Sequence, residues 1–170
     1  MKRRVYKLFV VGAGLLAVAG WMAVQTASRL KTKQQTTERR QRLAVIPVHC
    51  ETGWIKLNPS SPTPTVVMYF HPECDHCQYE AAQLGNYPEL LGRARIWLVS
   101  TEPDSALRAF ARRYRLNGLP GVAVGRIEPR FAFDSLGFRA VPHLLVYGPD
   151  GRLKKEFRGE TRWEAIERAL

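Results

Sequence analysis

Cysteine is scarce in this sequence, with only Cys50, Cys74 and Cys77 among 170 residues. Small domains that are held together by disulfides carry several pairs, so this count excludes a disulfide scaffold. Cys74 and Cys77 are separated by two residues, the spacing of a redox-active pair. We interpret Cys50 as a semi-buried apolar residue of the first strand pair. An intermolecular disulfide, or exchange with the other two thiols, stays open as its alternative role.

Acidic residues are nearly absent from the first 42 positions, which hold ten Lys and Arg residues against the single Glu38. Positions 43–170 hold 16 basic and 14 acidic residues, so most of the net charge of +11 lies outside them. A groove that binds nucleic acid needs basic residues clustered on the folded body of the protein. The charge distribution therefore predicts no nucleic-acid partner.

Long apolar runs are missing except near the start, where residues 8–24 form a stretch of 17 residues without charge. This length is at the short end of what a helix needs to span a bilayer. Four basic residues precede the run, which predicts a cytoplasmic N-terminus and a body outside the cytoplasm. A cleaved signal peptide is the alternative, because Ala17-Val18-Ala19 and Gln25-Thr26-Ala27 resemble cleavage sites.

The chain is expected to have three parts. Residues 1–28 are predicted to form an N-terminal transmembrane anchor or signal segment. Residues 29–42 are polar and charged, which is typical of a linker. Residues 43–170 are long enough for a single folded domain.

The sequence has no internal repeat, and its patterns alternate between strand and helix. Short β-branched and aromatic runs predict strands, whereas apolar residues spaced three and four apart predict helices. The predicted strands cover residues 43–48, 54–57, 65–70, 95–100, 121–127, 141–147 and 152–157. The predicted helices cover residues 77–84, 104–116, 131–137 and 161–170. The last helix has Thr161 as its expected cap and Glu164 as the capping-box partner. This order predicts an α/β fold in which a central mixed sheet has helices on both faces.

Cys74 lies between a predicted buried strand and a predicted helix. Unpaired backbone N–H groups and the helix dipole stabilise a thiolate at such a helix start. Cys77 falls one turn along on the same face, within reach of a disulfide. We therefore predict that Cys74 is the nucleophile and that Cys77 resolves the mixed disulfide.

Three neighbours are expected to tune this redox pair. Glu73 and Asp75 oppose a thiolate at Cys74 by like charge. His76 favours the thiolate when it is protonated or donates a hydrogen bond. The net effect on the reduction potential stays open.

Two structural roles compete with redox chemistry. A disulfide that only stabilises a turn gains little, because the loop that it closes is so short. A zinc site could use His71 and His76 with the two cysteines, but these four residues lie within a few positions of each other, unlike a structural zinc finger. We predict no metal site.

The order of these motifs resembles the thioredoxin fold and is similar to membrane-anchored thiol–disulfide oxidoreductases of the TlpA/ResA type. The resemblance rests on Cys74-Asp75-His76-Cys77 at a helix start, Val141-Pro142 before a strand, and the Gly148-Pro149-Asp150-Gly151 turn. It covers residues 43–170. It implies disulfide exchange with protein substrates and a membrane partner that donates or accepts the electrons. No cofactor is expected, since no glycine-rich dinucleotide motif follows a strand.

The resemblance also implies roles for residues outside the motif. Pro142 matches the family's cis-proline, which with Val141 offers backbone to a substrate chain. Glu80 matches a glutamate that assists proton movement in the reductase branch of the family, and an exposed helix carboxylate is the alternative. His143 follows the proline and is either a second group that tunes the sulfurs or a solvent-facing strand residue.

Departures from the family pattern leave the direction of electron flow open, with reduction of substrates favoured. Glu73 stands where many members have Trp, and Asp75-His76 replaces Glu-Pro or Gly-Pro. A copper metallochaperone is an alternative function, although copper-delivering relatives use CxxxC and a distant His. A peroxiredoxin is another, although its Pro-x-x-x-Thr-x-x-Cys context is not reproduced before Cys74.

Overall fold

The computed structural model describes residues 16, 18–31, 34–35, 38, 41–42, 45–50, 53–57 and 61–170. The chain divides into two units, Met1–Thr37 and Glu38–Leu170. Residues 18–31 of the first unit are helical. No helix within the described stretches has both the length and the apolar character needed to cross a membrane. Much of the predicted apolar span, residues 8–15 and 17, lies outside the described residues.

A seven-stranded mixed sheet runs through the second unit. Its strands are β1 (Ile46–Cys50), β2 (Gly53–Leu57), β3 (Thr65–Tyr69), β4 (Arg95–Ser100), β5 (Val122–Arg126), β6 (His143–Tyr147) and β7 (Leu153–Arg158). Across the sheet they lie in the order β2-β1-β5-β4-β3-β6-β7. The neighbours β3, β4 and β5 are parallel, and all other neighbours are antiparallel. Each strand overlaps one that the sequence predicts.

The α-helices of the second unit cover one face of this sheet. They are α1 (Asp75–Gln83), α2 (Pro88–Arg93), α3 (Asp104–Arg113) and α4 (Trp163–Glu167). Parallel strands need a crossover connection. Helices α1 and α2 together form the crossover from β3 to β4, and α3 forms the crossover from β4 to β5. Buried side chains of all four helices belong to a single hydrophobic cluster with one face of the sheet.

The two faces of β3 show how the sheet separates its two cores. Val66 and Met68 join the cluster under the helices, whereas Val67 and Tyr69 join a second cluster on the opposite face. Because successive residues of a strand point to opposite faces, an uninterrupted apolar strand such as β3 serves both cores. The second core is covered by residues 128–138, which include a π-helical turn at Phe131–Ser135. Helical segments thus flank both faces of the sheet, but the four α-helices lie on one face and the other has only this π-helical turn.

The C-terminal helix begins later than predicted, and its predicted capping box is wrong. α4 starts at Trp163, and no side chain caps it. The Thr161 backbone N–H donates to Glu80, and its hydroxyl donates to the Gly159 carbonyl oxygen. Glu164 accepts a hydrogen bond from the Tyr87 hydroxyl. Tertiary partners thus take the groups that a local capping box would use.

α2 was not predicted, because the sequence around Gly85 and Pro88 indicates only a break after α1. The structure has a 3-10 turn at Leu84–Asn86 and then a new helix whose first residue is Pro88. Proline is tolerated at that position, since its missing N–H would have no partner within the helix.

Candidate active site

Cys74 lies where the sequence places it, at the junction between β3 and α1. The chain leaves the sheet after β3, and the Cys74 N–H donates to the His71 carbonyl oxygen at 3.1 Å. Cys74 is the N-cap residue of α1, with extended backbone angles, and its carbonyl accepts from Gln78 N–H at 2.9 Å. Its side chain is half-buried. The sulfur is therefore reachable from solvent beside the unpaired N–H groups of the first helical turn.

Cys77 is fully buried in the core under the helices. Burial raises the pKa of its thiol well above the usual range, and a hydrogen bond and the charge of Cys74 raise it further. Cys74, Cys77 and Cys50 are all thiols in this structure, without a disulfide. The two thiols of the motif thus differ in access: one meets solvent, and the other meets only its partner and the core.

Glu80 lies one turn beyond Cys77 and is a buried acid, with 1% of its surface exposed. The alternative reading of Glu80 as an exposed helix carboxylate is therefore wrong. Its Oε1 accepts a hydrogen bond from Thr161 N–H at 2.7 Å, and its Oε2 has no hydrogen-bond partner among the described residues. Burial raises the pKa of Glu80 to about 7, against the opposing effect of the Thr161 N–H. Such a carboxyl exchanges protons near neutral pH.

The three residues of the predicted tuning set, Glu73, Asp75 and His76, are exposed. His76 Nδ1 lies 2.5 Å from Glu160 Oε2, across 84 positions of sequence. Asp75 occupies the first turn of α1, and the Glu73 N–H donates to His71 Nδ1 at 3.1 Å. The partnership of His76 with Glu160 has no signal in the sequence, since nothing near either residue indicates the other.

A groove of about 600 Å³ borders Cys74. Val141 lines it, as the resemblance implies, and the Val141-Pro142 peptide bond is cis. Pro142 itself is buried, and its carbonyl accepts from Gly159 N–H at 2.9 Å. Phe133 and Arg139 also line the groove and were not predicted as site residues. Their only sequence signal is their position in the segment that precedes the cis-proline.

The remaining histidines near the site are paired with carboxylates. His143 is buried, and its Nε2 lies 2.7 Å from Glu156 Oε1, so the solvent-facing alternative for His143 is wrong. His71 Nε2 lies 3.3 Å from Glu102 Oε1. The two histidines of the zinc alternative, His71 and His76, are therefore bound to different carboxylates.

Cys50 is semi-buried in β1, as predicted, and its Sγ lies 3.6 Å from the Val124 carbonyl oxygen. It lines a separate cavity of about 310 Å³ between β5 and α3. Its neighbour His49 pairs with Asp104, whose pKa is lowered by hydrogen bonds from His49 and Arg126 despite partial desolvation.

Comparisons with known proteins give matches in structure but not in sequence. No protein-family model matches the chain, and no curated protein is significantly similar to it in sequence. StoA from Bacillus subtilis superposes with a TM-score of 0.58 at 15% identity, over 74% of this chain and 96% of that one. A secreted disulfide oxidoreductase of Mycobacterium tuberculosis gives 0.60 at 17% identity, over 78% and 96%. A thiol:disulfide interchange protein from Bacteroides sp. gives 0.61 at 16% identity, over 75% and 87%.

Structural matches at identities this low establish the fold alone. The chain has a thioredoxin-like α/β fold, with a central mixed sheet flanked by helices, and the fold prediction for residues 43–170 is confirmed. The CxxC motif at a helix start and the cis-proline next to its groove lie within that fold.

Proposed function

We propose that the chain is a thiol–disulfide oxidoreductase that exchanges disulfides with protein substrates through Cys74 and Cys77. One observation carries the proposal: a half-exposed thiol at the N-cap of α1 has a fully buried thiol one turn behind it. The exposed sulfur can attack a substrate, and the buried one can reach only the first sulfur. A CxxC pair with this asymmetry separates attack from resolution.

In the reducing direction the reaction balances as follows. The Cys74 thiolate attacks one sulfur of the substrate disulfide, the substrate S–S bond breaks, and the other substrate sulfur leaves as a thiolate. Cys77 then loses its proton and attacks the Cys74 sulfur, and the second substrate sulfur leaves. Two electrons pass from the Cys74–Cys77 dithiol to the substrate, and Cys74 and Cys77 end as a disulfide.

Cys77 needs a proton acceptor in the second step, because burial disfavours its thiolate. Glu80 on the same helix is the acceptor in this proposal. Its pKa of about 7 allows the carboxylate to form near neutral pH and still to hold a proton once it receives one. The groove beside Cys74, with Val141 at its wall, holds the substrate chain.

The proposed direction is reduction of substrates. A dithiol whose thiolate is strongly stabilised favours the reduced form and makes the protein an oxidant. Burial of Cys77 raises the pKa of its thiol, so Cys77 itself adds no such stabilisation to the reduced form. The match of Glu80 to the reductase branch of the TlpA/ResA type points the same way.

The proposed location is the outer side of a membrane, with residues 1–28 as anchor and a membrane protein as electron partner. The support is the apolar run at residues 8–24 with four basic residues before it. The similar Mycobacterium tuberculosis oxidoreductase is described as secreted.

The proposal is tested with the full chain and a model protein disulfide. Wild-type protein should reduce it, Cys74→Ser should lose at least about a hundredfold in rate, and Cys77→Ser should accumulate a mixed disulfide. Cys50→Ser is the matched control and should retain the wild-type rate. Unchanged turnover in Cys74→Ser would overturn the proposal, and so would stoichiometric copper(I) binding without any exchange.

A further inference from the structure

The segment Glu160–Trp163, between β7 and the first turn of α4, is attached to α1 at three points. Glu160 Oε2 meets His76 Nδ1 at 2.5 Å, and Thr161 N–H meets Glu80 Oε1 at 2.7 Å. Trp163 Nε1 donates to the Glu80 carbonyl oxygen at 2.8 Å. His76 and Glu80 are four residues apart, so they lie on one face of α1. Glu160 and Thr161, which are consecutive in the segment, therefore bind two side chains that lie one turn apart on α1, His76 and Glu80.

The ionisable groups around Glu80 carry charges of both signs. His76 and Cys77 lie on its own helix, and Glu160 lies on the segment. From α4, the neutral Trp163 indole donates to the Glu80 carbonyl oxygen. The negative charge of Glu160 raises the pKa of Glu80, whereas the positive charge of His76 lowers it. Since His76 and Glu160 contact each other, each also neutralises the charge that the other presents to Glu80.

We propose that His76 and Glu160 act as a pair of positioning residues that sets the protonation of Glu80, with Glu160 favouring its acid form and His76 its ionised form. This inference rests on the proposed disulfide exchange. Under this proposal, His76 in the middle of the CxxC motif influences two groups, the Cys74 sulfur and the Glu80 carboxyl. It also makes Glu160 a functional residue, although Glu160 lies far from the motif in sequence.

The step that the pair controls is the resolution of the mixed disulfide. The Cys77 S–H bond breaks as an O–H bond forms on Glu80. The Cys77 sulfur then bonds to the Cys74 sulfur, and the substrate sulfur leaves with the electron pair of the broken S–S bond. Glu80 must be ionised before this step, so its protonation determines the pH range in which resolution is fast.

The pair is tested in the full chain with Glu160→Gln, His76→Asn and the double variant. Both side chains are substantially exposed, at 64% for His76 and 45% for Glu160, so neither substitution disturbs a core. The first measurement is the pH midpoint of the Glu80 carboxyl carbon by NMR, assigned with Glu80→Gln. The second is the rate at which Cys77 resolves a preformed mixed disulfide, as a function of pH.

Glu160→Gln should lower the Glu80 midpoint and His76→Asn should raise it, each by on the order of 0.5 pH unit, because water screens the charges of two side chains that are this exposed. The double variant should lie between the two single variants. The pH profile of resolution should move with the carboxyl midpoint in each case. Glu102→Gln removes the carboxylate of the partly exposed pair that Glu102 forms with His71, and it should leave the Glu80 midpoint unchanged.

Shifts in the same direction for both single variants, or no shift in either, would show a contact that only holds the segment in place and would overturn the inference. Loss of exchange is a separate outcome. If the wild-type chain resolves no mixed disulfide, the proposed function fails, while the carboxyl titration still reports on the pair.

Discussion

At the scale of single residues, burial determines what each ionisable group of the site can do. Cys77 and Glu80 are both buried, and burial disfavours the charged form of each. In the proposed exchange, this thiol that resists ionisation and this acid that titrates near neutrality are the proton donor and acceptor, one helical turn apart. A surface cysteine and a surface glutamate at the same spacing would have no such relation.

The raised pKa of Glu80 also predicts a stability effect that does not depend on catalysis. The carboxyl titrates at about 7 in the folded protein and near 4.5 when unfolded, so the folded state binds more protons between these values. Stability should therefore fall as the pH rises from 4.5 to 7, by up to about 3 kcal/mol from this group, and then level off. Glu80→Gln should lack this component.

The measurement is the free energy of unfolding by denaturant at pH 5 and at pH 7.5. Other carboxylates titrate over part of this range, so the quantity to compare is the difference between wild type and Glu80→Gln at each pH. That difference should favour the variant more at pH 7.5 than at pH 5. An equal difference at both pH values would contradict a raised pKa for Glu80.

At the scale of elements, the β1–β2 hairpin is joined to the rest of the sheet through a close approach to β5. Gly125 in β5 faces β1, and an added Cβ there would lie 2.8 Å from the His49 carbonyl oxygen and 3.0 Å from Cys50 Sγ, and closer still to Val48. The absence of a side chain therefore lets β1 pair with β5 at the His49–Arg126 position.

Gly125→Ala should push β1 away from β5 and destabilise the domain by about 2 kcal/mol, the usual size of an overpacking defect. Hydrogen exchange should show faster exchange in β1 and β2, and less change in β3 and β4. Gly92→Ala is the matched control, because a Cβ at Gly92 in α2 meets nothing within 4 Å. Equal stability of the two variants would contradict the prediction, because it would show that β1 and β5 can move apart without any loss of stability.

At the scale of the whole molecule, charge and core are distributed unequally along the chain. The first 42 residues carry nine of the eleven net positive charges. The buried residues of both core clusters run from Ile46 to Ile166. The buried core residues of the described part of the chain thus all belong to the second unit.

A chain that begins at Glu38 should therefore fold and reduce the model disulfide at a rate within about twofold of the full chain, because it keeps every described core residue and all three thiols. The full chain should sediment with membranes after expression, whereas the shortened one should stay in the supernatant. Circular dichroism and the exchange assay test the folding, and fractionation tests the anchor. A full chain found in the supernatant would contradict an uncleaved anchor.

Local pattern was sufficient for much of this molecule. The apolar run of β3, the three-and-four spacing of Leu107, Phe110 and Ala111 in α3, and the CxxC at a strand-to-helix junction are each confirmed. These features depend on burial and on hydrogen bonds between near neighbours, and both are encoded within a few residues. The order of such elements predicted a mixed sheet with flanking helices, and the resemblance carried by the CxxC, Val141-Pro142 and the Gly148-Pro149-Asp150-Gly151 turn indicated the thioredoxin-like fold.

Only the tertiary structure decided what surrounds the cysteines. The sequence placed Cys74 at a helix start, but it could not show that Thr161 donates to Glu80 instead of capping α4, or that Glu160 meets His76. These partners are more than 80 positions apart in sequence. These contacts form because β7 and α4 bring the chain back beside α1. No local periodicity in the sequence encodes such a contact, since the packing of the whole sheet determines which distant residues come together.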